Sequence, residues 1–248
     1  MILIKSSKEI AKLRVAGQLT GQALVKAGEV IEPGMTTKEL DNILRKFYTS
    51  HGAKPAFLGY GGFPGSACIS VNDEVIHGIP GPRKLKEGDI VSVDTGALID
   101  GYYGDSCKTF AVGEISDAAK ALLKSTEESL YIALAMAKPG VRLGDIGAAI
   151  QKHNESNGYG VVREYVGHGV GKNLHEEPEV PNFGREGHGV KLQAGMVIAI
   201  EPMINEGTAK IKVMPDGWTV KTLDGKLSAH FEHTIAITAN GNVILTEP

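Results

Sequence analysis

The sequence predicts an α+β fold built from two copies of one helix–helix–strand unit. Residues 85–94 and 192–201 each consist of a leucine, a glycine three residues later, an apolar run and a final carboxylate, and the second run follows the first by 107 residues. Pro-Gly dipeptides at 33–34 and 139–140 repeat with an offset of 106 residues. In each copy two helical patterns precede strand-like segments, which is the order of an α+β chain.

The repeat predicts one domain rather than two. The copies, at about 1–113 and 114–248, each contribute a carboxylate at the end of an apolar run, so neither copy completes a site alone. A chain of 248 residues with 42% hydrophobic residues can bury one large core. No linker rich in Pro, Gly and Ser divides the copies. We therefore expect residues 1–248 to form a single domain.

Composition argues against several classes of partner. The net charge is −3, and the sequence has no run of five like charges. The chain as a whole is therefore not attracted electrostatically to nucleic acid or to an anionic membrane. No apolar stretch approaches the ~18 residues that a membrane span needs, and the apolar part of the N-terminus is too short for a signal peptide. Cys68 and Cys107 provide no disulfide framework, which is typical of a reducing, cytoplasmic compartment.

The first copy contains two predicted helices followed by strands. Apolar residues at helical spacing predict a helix over residues 7–28. A capping box at Thr36 opens the second helix. A loop rich in glycine and aromatic residues covers 56–65. Strand segments follow at residues 68–75 and 90–94 and, after an Asp-Gly turn signal at 100–101, up to Val112.

The second copy repeats this order. A long helix is predicted over residues 116–138, where a Pro-Gly dipeptide ends it, and a second helix over 143–157. Strands are predicted at residues 161–166, 197–201 and 232–237.

Five residues of metal-binding types lie in or beside the predicted strands. They are four carboxylates and one imidazole: Asp94, Asp105, His168, Glu201 and Glu232. Acidic groups that meet in a core are costly unless a cation lies between them. Oxygen donors with one nitrogen suit Mn, Fe, Co or Zn and exclude a thiolate site. Taken singly, each residue has an ordinary alternative as a surface or turn carboxylate or as a structural histidine.

The same five residues predict how two ions would be shared. Two metals ~3.5–4 Å apart need carboxylates that bridge them. Asp105 and Glu232, in the middle of their predicted strands, are the expected bridging ligands. Asp94 completes one ion site, and His168 with Glu201 completes the other. A water or hydroxide between the ions is the expected nucleophile, so no covalent protein intermediate is required.

Four motifs around these residues resemble a known family. They are Tyr-Tyr-Gly-Asp at 102–105, Gly-His-Gly-Val-Gly at 167–171, His-Glu-Glu-Pro at 175–178 and Ile-Glu-Pro at 200–202. With the five ligands, they are similar to the M24-like pita-bread (creatinase/aminopeptidase) metallopeptidases, and to type I methionine aminopeptidases in particular. The resemblance covers nearly the whole chain. It implies a pita-bread fold and removal of the initiator methionine from nascent chains whose second residue is small. It also implies two divalent ions, with Co, Mn, Fe, Zn and Ni as alternatives.

The resemblance also implies roles outside the ligand set. His77 would lie near the scissile amide, His175 would stabilise the tetrahedral intermediate, and Glu201 would also transfer a proton. Leu174 stands where the family usually has an aromatic residue, which predicts a wider or softer pocket wall. The pocket for the methionine side chain would be formed by Phe57, Tyr60, Phe63, Cys68 and Trp218, together with His77 and His175.

The residues alone leave other interpretations of these positions open. His77 is equally explained as a turn-capping residue before Gly-Ile-Pro, and His175 as an ion-pair partner of Glu176 or Glu177. Ordinary core packing accounts equally well for three of the predicted pocket residues: Tyr60, Phe63 and Cys68.

Two other functions are compatible with the same motifs. An Xaa-Pro peptidase of the same fold would usually carry an extra N-terminal domain, whereas this chain begins with the catalytic unit. A non-catalytic peptide-binding module would be expected to have lost ligands, and all five are present. The type I interpretation predicts a single-domain cytoplasmic monomer acting on nascent polypeptide N-termini, and it leaves docking to the ribosome open.

Overall fold

Four helices form two pairs, one in each copy of the repeat, in a computed structural model that describes residues 1–248. They are α1 (Ser7–Val30), α2 (Thr37–Ser50), α3 (Asp117–Met136) and α4 (Leu143–Ser156). All four lie where the sequence predicts helices. None of them combines the length with the apolar composition that a bilayer-crossing helix requires.

Capping boxes fix where α1 and α2 begin. The Ser6 hydroxyl accepts from the Glu9 N–H (3.4 Å), and the Glu9 carboxylate accepts from the Ser6 N–H (2.9 Å). Thr36 and Glu39 form the same reciprocal pair at 3.1 and 2.7 Å, so the predicted capping box is confirmed. These bonds satisfy N–H groups that the start of a helix would otherwise leave without partners.

The first copy contributes a sheet centred on one long strand. The strands of this copy are β1 (Lys54–Pro55), β2 (Ala67–Val71), β3 (Glu74–Ile76), β4 (Ile90–Ile99) and β5 (Tyr102–Ala111), and a 3₁₀ turn lies at Tyr60–Gly62. Strand β4 pairs with β1, β2 and β5. Asp100 (φ +50°) and Gly101 (φ +78°) form the turn between β4 and β5, so the predicted Asp-Gly turn is confirmed.

The second copy contributes all of the remaining strands. They are β6 (Gly160–Val161), β7 (Gly167–Gly169), β8 (Glu176–Val180), β9 (Val197–Ile200), β10 (Met203–Asn205), β11 (Ile211–Val213), β12 (Val220–Thr222), β13 (Ser228–His230), β14 (His233–Thr238) and β15 (Gly241–Ile244). Five of them form a sheet in the order β15-β14-β9-β7-β8. Two three-stranded sheets, β13-β10-β6 and β11-β12-β3, complete the fold.

Equivalent turns in the two copies have the same backbone geometry. The Gly34 N–H donates to the Leu85 carbonyl at 2.8 Å, and the Gly140 N–H donates to the Leu192 carbonyl at 2.9 Å. Both glycines have left-handed φ angles, +96° and +93°, which only glycine adopts readily. The α+β fold with duplicated helix–helix–strand units is therefore confirmed.

Three predicted strands are wrong in extent. The strand predicted at 90–94 continues to Ile99 as β4. The strand predicted at 161–166 is limited to β6, because Arg163 and Glu164 turn away into an exposed bend before β7 begins. The strand predicted at 68–75 is divided into β2 and β3 by a turn in which Asn72 has a φ of +59°.

Two of the predicted carboxylates, Asp94 and Glu232, lie at other points of their strands than expected, whereas Glu201 lies at a strand end as predicted. Asp94 lies inside β4, where it faces Cys68 and Cys107 across the sheet, rather than at a strand end. Glu232 is not in mid-strand: it lies between β13 and β14, because its N–H donates to the Cys107 carbonyl (2.8 Å) instead of to a β9 neighbour. Glu201 follows the last residue of β9 and precedes Pro202, which has no N–H to extend the ladder.

The core joins the two copies around the central strands. One apolar cluster lies under α3 and α4, and another lies between α1, α2 and the β4 sheet. A smaller cluster, which includes Leu13, Val170 and Leu245, connects α1 to the five-stranded sheet. A Cβ on Gly104 would lie 2.5 Å from the Ala16 backbone, so α1 lies directly against β5 beside Asp105. This packing places the acidic strand positions of both copies next to each other.

Candidate active site

One cavity of about 240 Å³ contains the candidate site. All thirteen residues that line it, Leu174 included, are among those singled out in the sequence. The lining residues are Phe57, Tyr60, Phe63, Cys68, His77, Asp94, Asp105, His168, Leu174, His175, Glu201, Trp218 and Glu232.

Three carboxylates form the centre of the cavity. One oxygen each of Asp94, Asp105 and Glu232 lies within 4.8 Å of the others. The antiparallel pairing of β4 with β5 brings Asp94 and Asp105 together, because residue 105 faces residue 96 and residue 94 faces residue 107. Glu232 joins them through its bond to the Cys107 carbonyl and through the Ser106 hydroxyl, which donates to the Glu232 carbonyl at 2.6 Å. The backbone therefore holds all three carboxylates close together.

His168 and Glu201 lie beside this centre. His168 Nε2 is 3.5 Å from Asp105 Oδ2 and 3.5 Å from Glu201 Oε1. Its Nδ1 lies 2.9 Å from the Gly169 carbonyl, which can only accept a hydrogen bond. The proton of the neutral ring is therefore on Nδ1, and the Nε2 lone pair faces the carboxylates. Metal-binding histidines use the same arrangement.

The acidic groups have raised pKa values. Burial raises the pKa of Asp94 to about 7. Burial, followed by repulsion from Asp94, raises the pKa of Asp105 and of Glu201 well above their usual ranges. The pKa of Glu232 is raised by burial and by the charge of Asp105. Because four buried carboxyl groups lie close together, ionisation of all four is strongly disfavoured unless a positive charge lies among them.

These groups fit divalent cations. One oxygen on each of the four carboxylates has no hydrogen-bond partner within the protein: Asp94 Oδ1, Asp105 Oδ1, Glu201 Oε1 and Glu232 Oε1. The basic groups within ion-pair distance of these carboxylates are imidazoles, not lysines or arginines. Oxygen donors with one imidazole nitrogen are the ligands that Mn, Fe, Co and Zn accept.

A match to a family model identifies the chain. Residues 11–239 match the model of metallopeptidase family M24. The chain belongs to metallopeptidase family M24.

Relatives of this M24 peptidase are similar over its full length. A methionine aminopeptidase from Clostridium perfringens is 53% identical, and the alignment covers 99% of each chain. The crystal structure of methionine aminopeptidase from Thermotoga maritima has a TM-score of 0.98 at 49% identity and covers 100% of both chains. A prolidase from Pyrococcus horikoshii has a TM-score of 0.80 at 29% identity, with 99% of this chain covering 64% of that one. The similarity to these structures confirms the pita-bread fold.

His175 lies at the open side of the M24 site. Its Nδ1 is 2.8 Å from the Tyr60 hydroxyl, and its ring centroid is 4.1 Å from that of His168. The alternative in which His175 pairs with Glu176 or Glu177 is wrong, because Glu176 binds Lys5 Nζ at 2.7 Å and Glu177 points into solvent. With Nδ1 directed at Tyr60, Nε2 of His175 is the nitrogen available to a ligand.

His77 lies on another wall of the cavity in an unusual conformation. Its φ is +57°, which few non-glycine residues adopt and which is found at functional sites. The ring meets Tyr165 and Trp218 edge to face, with centroids 5.6 and 6.3 Å apart. Burial, with a smaller contribution from His175, lowers the pKa of His77 to about 4. The ring is therefore neutral at physiological pH.

The predicted methionine pocket forms the apolar end of the cavity. Phe57, Phe63, Cys68 and Leu174 are buried in one small cluster, against which Trp218 packs. Burial raises the pKa of the Cys68 thiol well above its usual range, so this cysteine packs as a small apolar side chain. Tyr60 is 41% exposed and lies at the rim instead.

Sequence reasoning missed two polar residues next to Glu201. His230 is 1% exposed, and its Nε2 lies 3.8 Å from Glu201 Oε2. Asn182 is fully buried and donates from Nδ2 to the Glu201 carbonyl at 2.9 Å. The position of His230 two residues before Glu232 was the only available signal, and it does not distinguish a site residue from a surface histidine.

Proposed function

We propose that this M24 peptidase is an aminopeptidase that removes the N-terminal methionine from polypeptides whose second residue is small. The observation that carries the proposal is the cavity itself, which contains the five predicted metal ligands at one end and an apolar cluster with Phe57, Phe63 and Leu174 at the other. The full-length similarity to proteins named methionine aminopeptidase supports the same substrate.

Two divalent ions would be held by the five predicted ligands. Asp105 is the residue shared by both groups of donors, since it lies within 4.8 Å of Asp94 and Glu232 and 3.5 Å from His168. This supports the assignment of Asp105 as a bridging ligand. Glu232 would be the second bridging ligand, Asp94 would bind one ion, and His168 with Glu201 would bind the other. Co, Mn, Fe, Zn and Ni all accept this donor set.

The bound ions supply a Lewis acid and lower the pKa of a coordinated water towards neutrality. The chain supplies the proton transfer and the orientation. Glu201 lines the cavity with the other predicted ligands, so its carboxylate would help to move a proton from the water to the leaving amine in addition to holding an ion. No side chain forms a covalent bond with the substrate.

The two outer histidines would bind the peptide bond that is cut. His175 presents Nε2 while the Tyr60 hydroxyl fixes its Nδ1, so it is placed to donate to the oxygen that gains charge in the transition state. His77, which packs against Trp218 and Tyr165, would contact the amide nitrogen.

The apolar end would select the methionine side chain. Full burial of such a side chain contributes about 1.5–3 kcal/mol. The aromatic rings of Phe57, Phe63 and Trp218 add favourable contacts to a thioether sulfur. Leu174, 2% exposed, forms the wall where the family usually has an aromatic ring. We propose a pocket that is softer there and accepts methionine analogues with a longer side chain.

The proposal extends to the working form of the protein. Residues 1–248 would act as one catalytic domain and as a cytoplasmic monomer. Its substrates would be the N-termini of nascent polypeptides, with the ribosome as the place where these become available.

Release of free methionine from Met-Ala-Ser tests the function. The ion-free protein, supplemented in turn with Co²⁺, Mn²⁺, Fe²⁺, Zn²⁺ or Ni²⁺, should cleave Met-Ala-Ser and leave Ala-Pro intact. Met-Leu-Ser serves as the matched control for a large second residue and should be cleaved poorly. Preferential cleavage of Ala-Pro would instead identify an Xaa-Pro peptidase. Failure to bind any of the ions would indicate a non-catalytic module.

A further inference from the structure

His230 has no assigned role although it is buried beside Glu201. Its side chain is buried, and neither ring nitrogen has a hydrogen-bond partner within the protein. Leaving buried polar atoms unpaired is costly, and such groups in folded proteins generally have a functional or ligand-related explanation. The nearest acidic group is the Glu201 carboxylate, with His230 Nε2 3.8 Å from Glu201 Oε2.

The backbone of His230 is held on both sides. Its N–H donates to the Thr109 hydroxyl oxygen (2.9 Å), and the same hydroxyl donates to the His230 carbonyl (2.8 Å). On its other side, His230 pairs with Met203 in the β13–β10 ladder. The imidazole is thus attached to a segment held by two neighbouring strands.

Glu201 lies between two imidazoles. His168 Nε2 faces Oε1 at 3.5 Å, and His230 Nε2 faces Oε2 at 3.8 Å. Asn182 holds the Glu201 carbonyl, so His230 is the group left to orient the carboxylate. Closing the 3.8 Å gap to the ~2.9 Å of a hydrogen bond requires a movement of about 1 Å. Carboxylates that bind metals are commonly held by such hydrogen bonds from outside the ligand set.

We propose that His230 is a positioning residue of the metal centre, which donates from Nε2 to Glu201 Oε2 and orients that carboxylate for metal binding. The inference rests on the metal site proposed above. His230 would not touch the substrate.

Titration of the ion-free full-length protein with Mn²⁺ in a calorimeter tests this role. His230→Phe keeps the ring shape and removes both nitrogens. It should weaken Mn²⁺ binding about 10- to 100-fold, as loss of an outer hydrogen bond typically does. In the absence of ions it should leave the midpoint of urea unfolding unchanged or raised, because the unpaired nitrogens have gone. His230→Gln keeps an N–H donor and should retain most of the affinity.

His233→Phe is the matched control. His233 lies one residue beyond Glu232, and its Nδ1 is 2.7 Å from the Thr246 hydroxyl instead of an acidic ligand. This variant should bind Mn²⁺ normally and unfold at a lower urea concentration, the opposite of the pattern expected for His230→Phe.

The outcomes separate the two proposals. If the unmodified protein does not bind Mn²⁺, the metal site itself is wrong. If the unmodified protein binds Mn²⁺ and His230→Phe binds it equally well, the role of His230 is wrong. If His230→Phe lowers both the Mn²⁺ affinity and the stability of the ion-free protein, His230 has a structural role. If the variant binds fewer ions, His230 is a direct ligand. Either result overturns the inference.

Discussion

Lys5 and Glu176 form a buried ion pair, with Nζ 2.7 Å from Oε2, although 171 residues separate them in the chain. Their side chains are only 6% and 5% exposed. The second carboxylate oxygen of Glu176 accepts from the Asn173 N–H at 3.1 Å. The segment before α1 is thereby attached to the loop that carries Leu174 and His175. The pair therefore joins the N-terminal segment to the loop that forms part of the active-site wall.

Replacing Lys5 by Met should destabilise the protein strongly. It leaves the Glu176 carboxylate buried without a counter-charge, a change that typically costs about 3–5 kcal/mol in the free energy of unfolding. Urea denaturation measures the change. Lys26→Met is the control, because the Lys26–Glu29 pair is exposed and should contribute less than about 1 kcal/mol. Equal losses in the two variants would contradict this account of the buried pair.

Asp105→Ala and Glu232→Ala should each abolish peptidase activity and lower the number of bound ions. Both remove a predicted bridging ligand, whereas Asp117→Ala removes a fully exposed carboxylate and should change nothing. The ion-free variants should remain folded, because each loses one of several buried acidic groups that repel one another. Elemental analysis, activity and circular dichroism are measured in parallel. Full activity in either variant, or after exhaustive chelation, would exclude the assignment.

His175→Ala should lower kcat and kcat/KM together by about 10²–10³, with little change in KM. A donor that acts mainly in the transition state has this signature. Tyr60→Phe should give a smaller loss of the same kind, because it removes only the hydroxyl that orients His175 Nδ1. Steady-state kinetics on Met-Ala-Ser with metal content measured alongside provide the test. Loss of bound metal in His175→Ala, or a rise in KM alone, would show that the role is wrong.

Protonation of His77 should make stability fall in mild acid. Burial lowers its pKa in the folded protein to about 4, whereas the unfolded chain binds the proton near 6.5. Below pH 6.5 the unfolded state therefore takes up the proton first, and stability decreases until the pH reaches about 4. Between pH 7.5 and 5 the ion-free protein should lose up to about 2 kcal/mol more than His77→Gln. If the free energy of unfolding depended on pH equally in the two proteins, the His77 ring would not be buried in its neutral form.

The local features of the fold could be predicted because they depend on neighbouring residues. The capping box at Thr36 and the turn at Asp100 involve contacts three residues apart or fewer, and both are present. The strand at 161–166 could not be predicted correctly, because a strand exists only where a partner strand lies beside it. Val161 has such a partner in Ile204, and the exposed Arg163 does not.

The sequence by itself determined the repeat, the four helices and the five candidate metal ligands, and its resemblance to a known family pointed to the eight other residues that line the cavity. Repetition of a carboxylate after the same apolar run, in segments that lie 107 residues apart, is readable without coordinates. Only the tertiary structure decided which polar groups are buried beside the carboxylates Glu176 and Glu201. Lys5 meets Glu176, and His230 meets Glu201, through the packing of segments far apart in the chain. Burial and the partners of a side chain depend on that packing, and the sequence around Lys5 or His230 does not encode it.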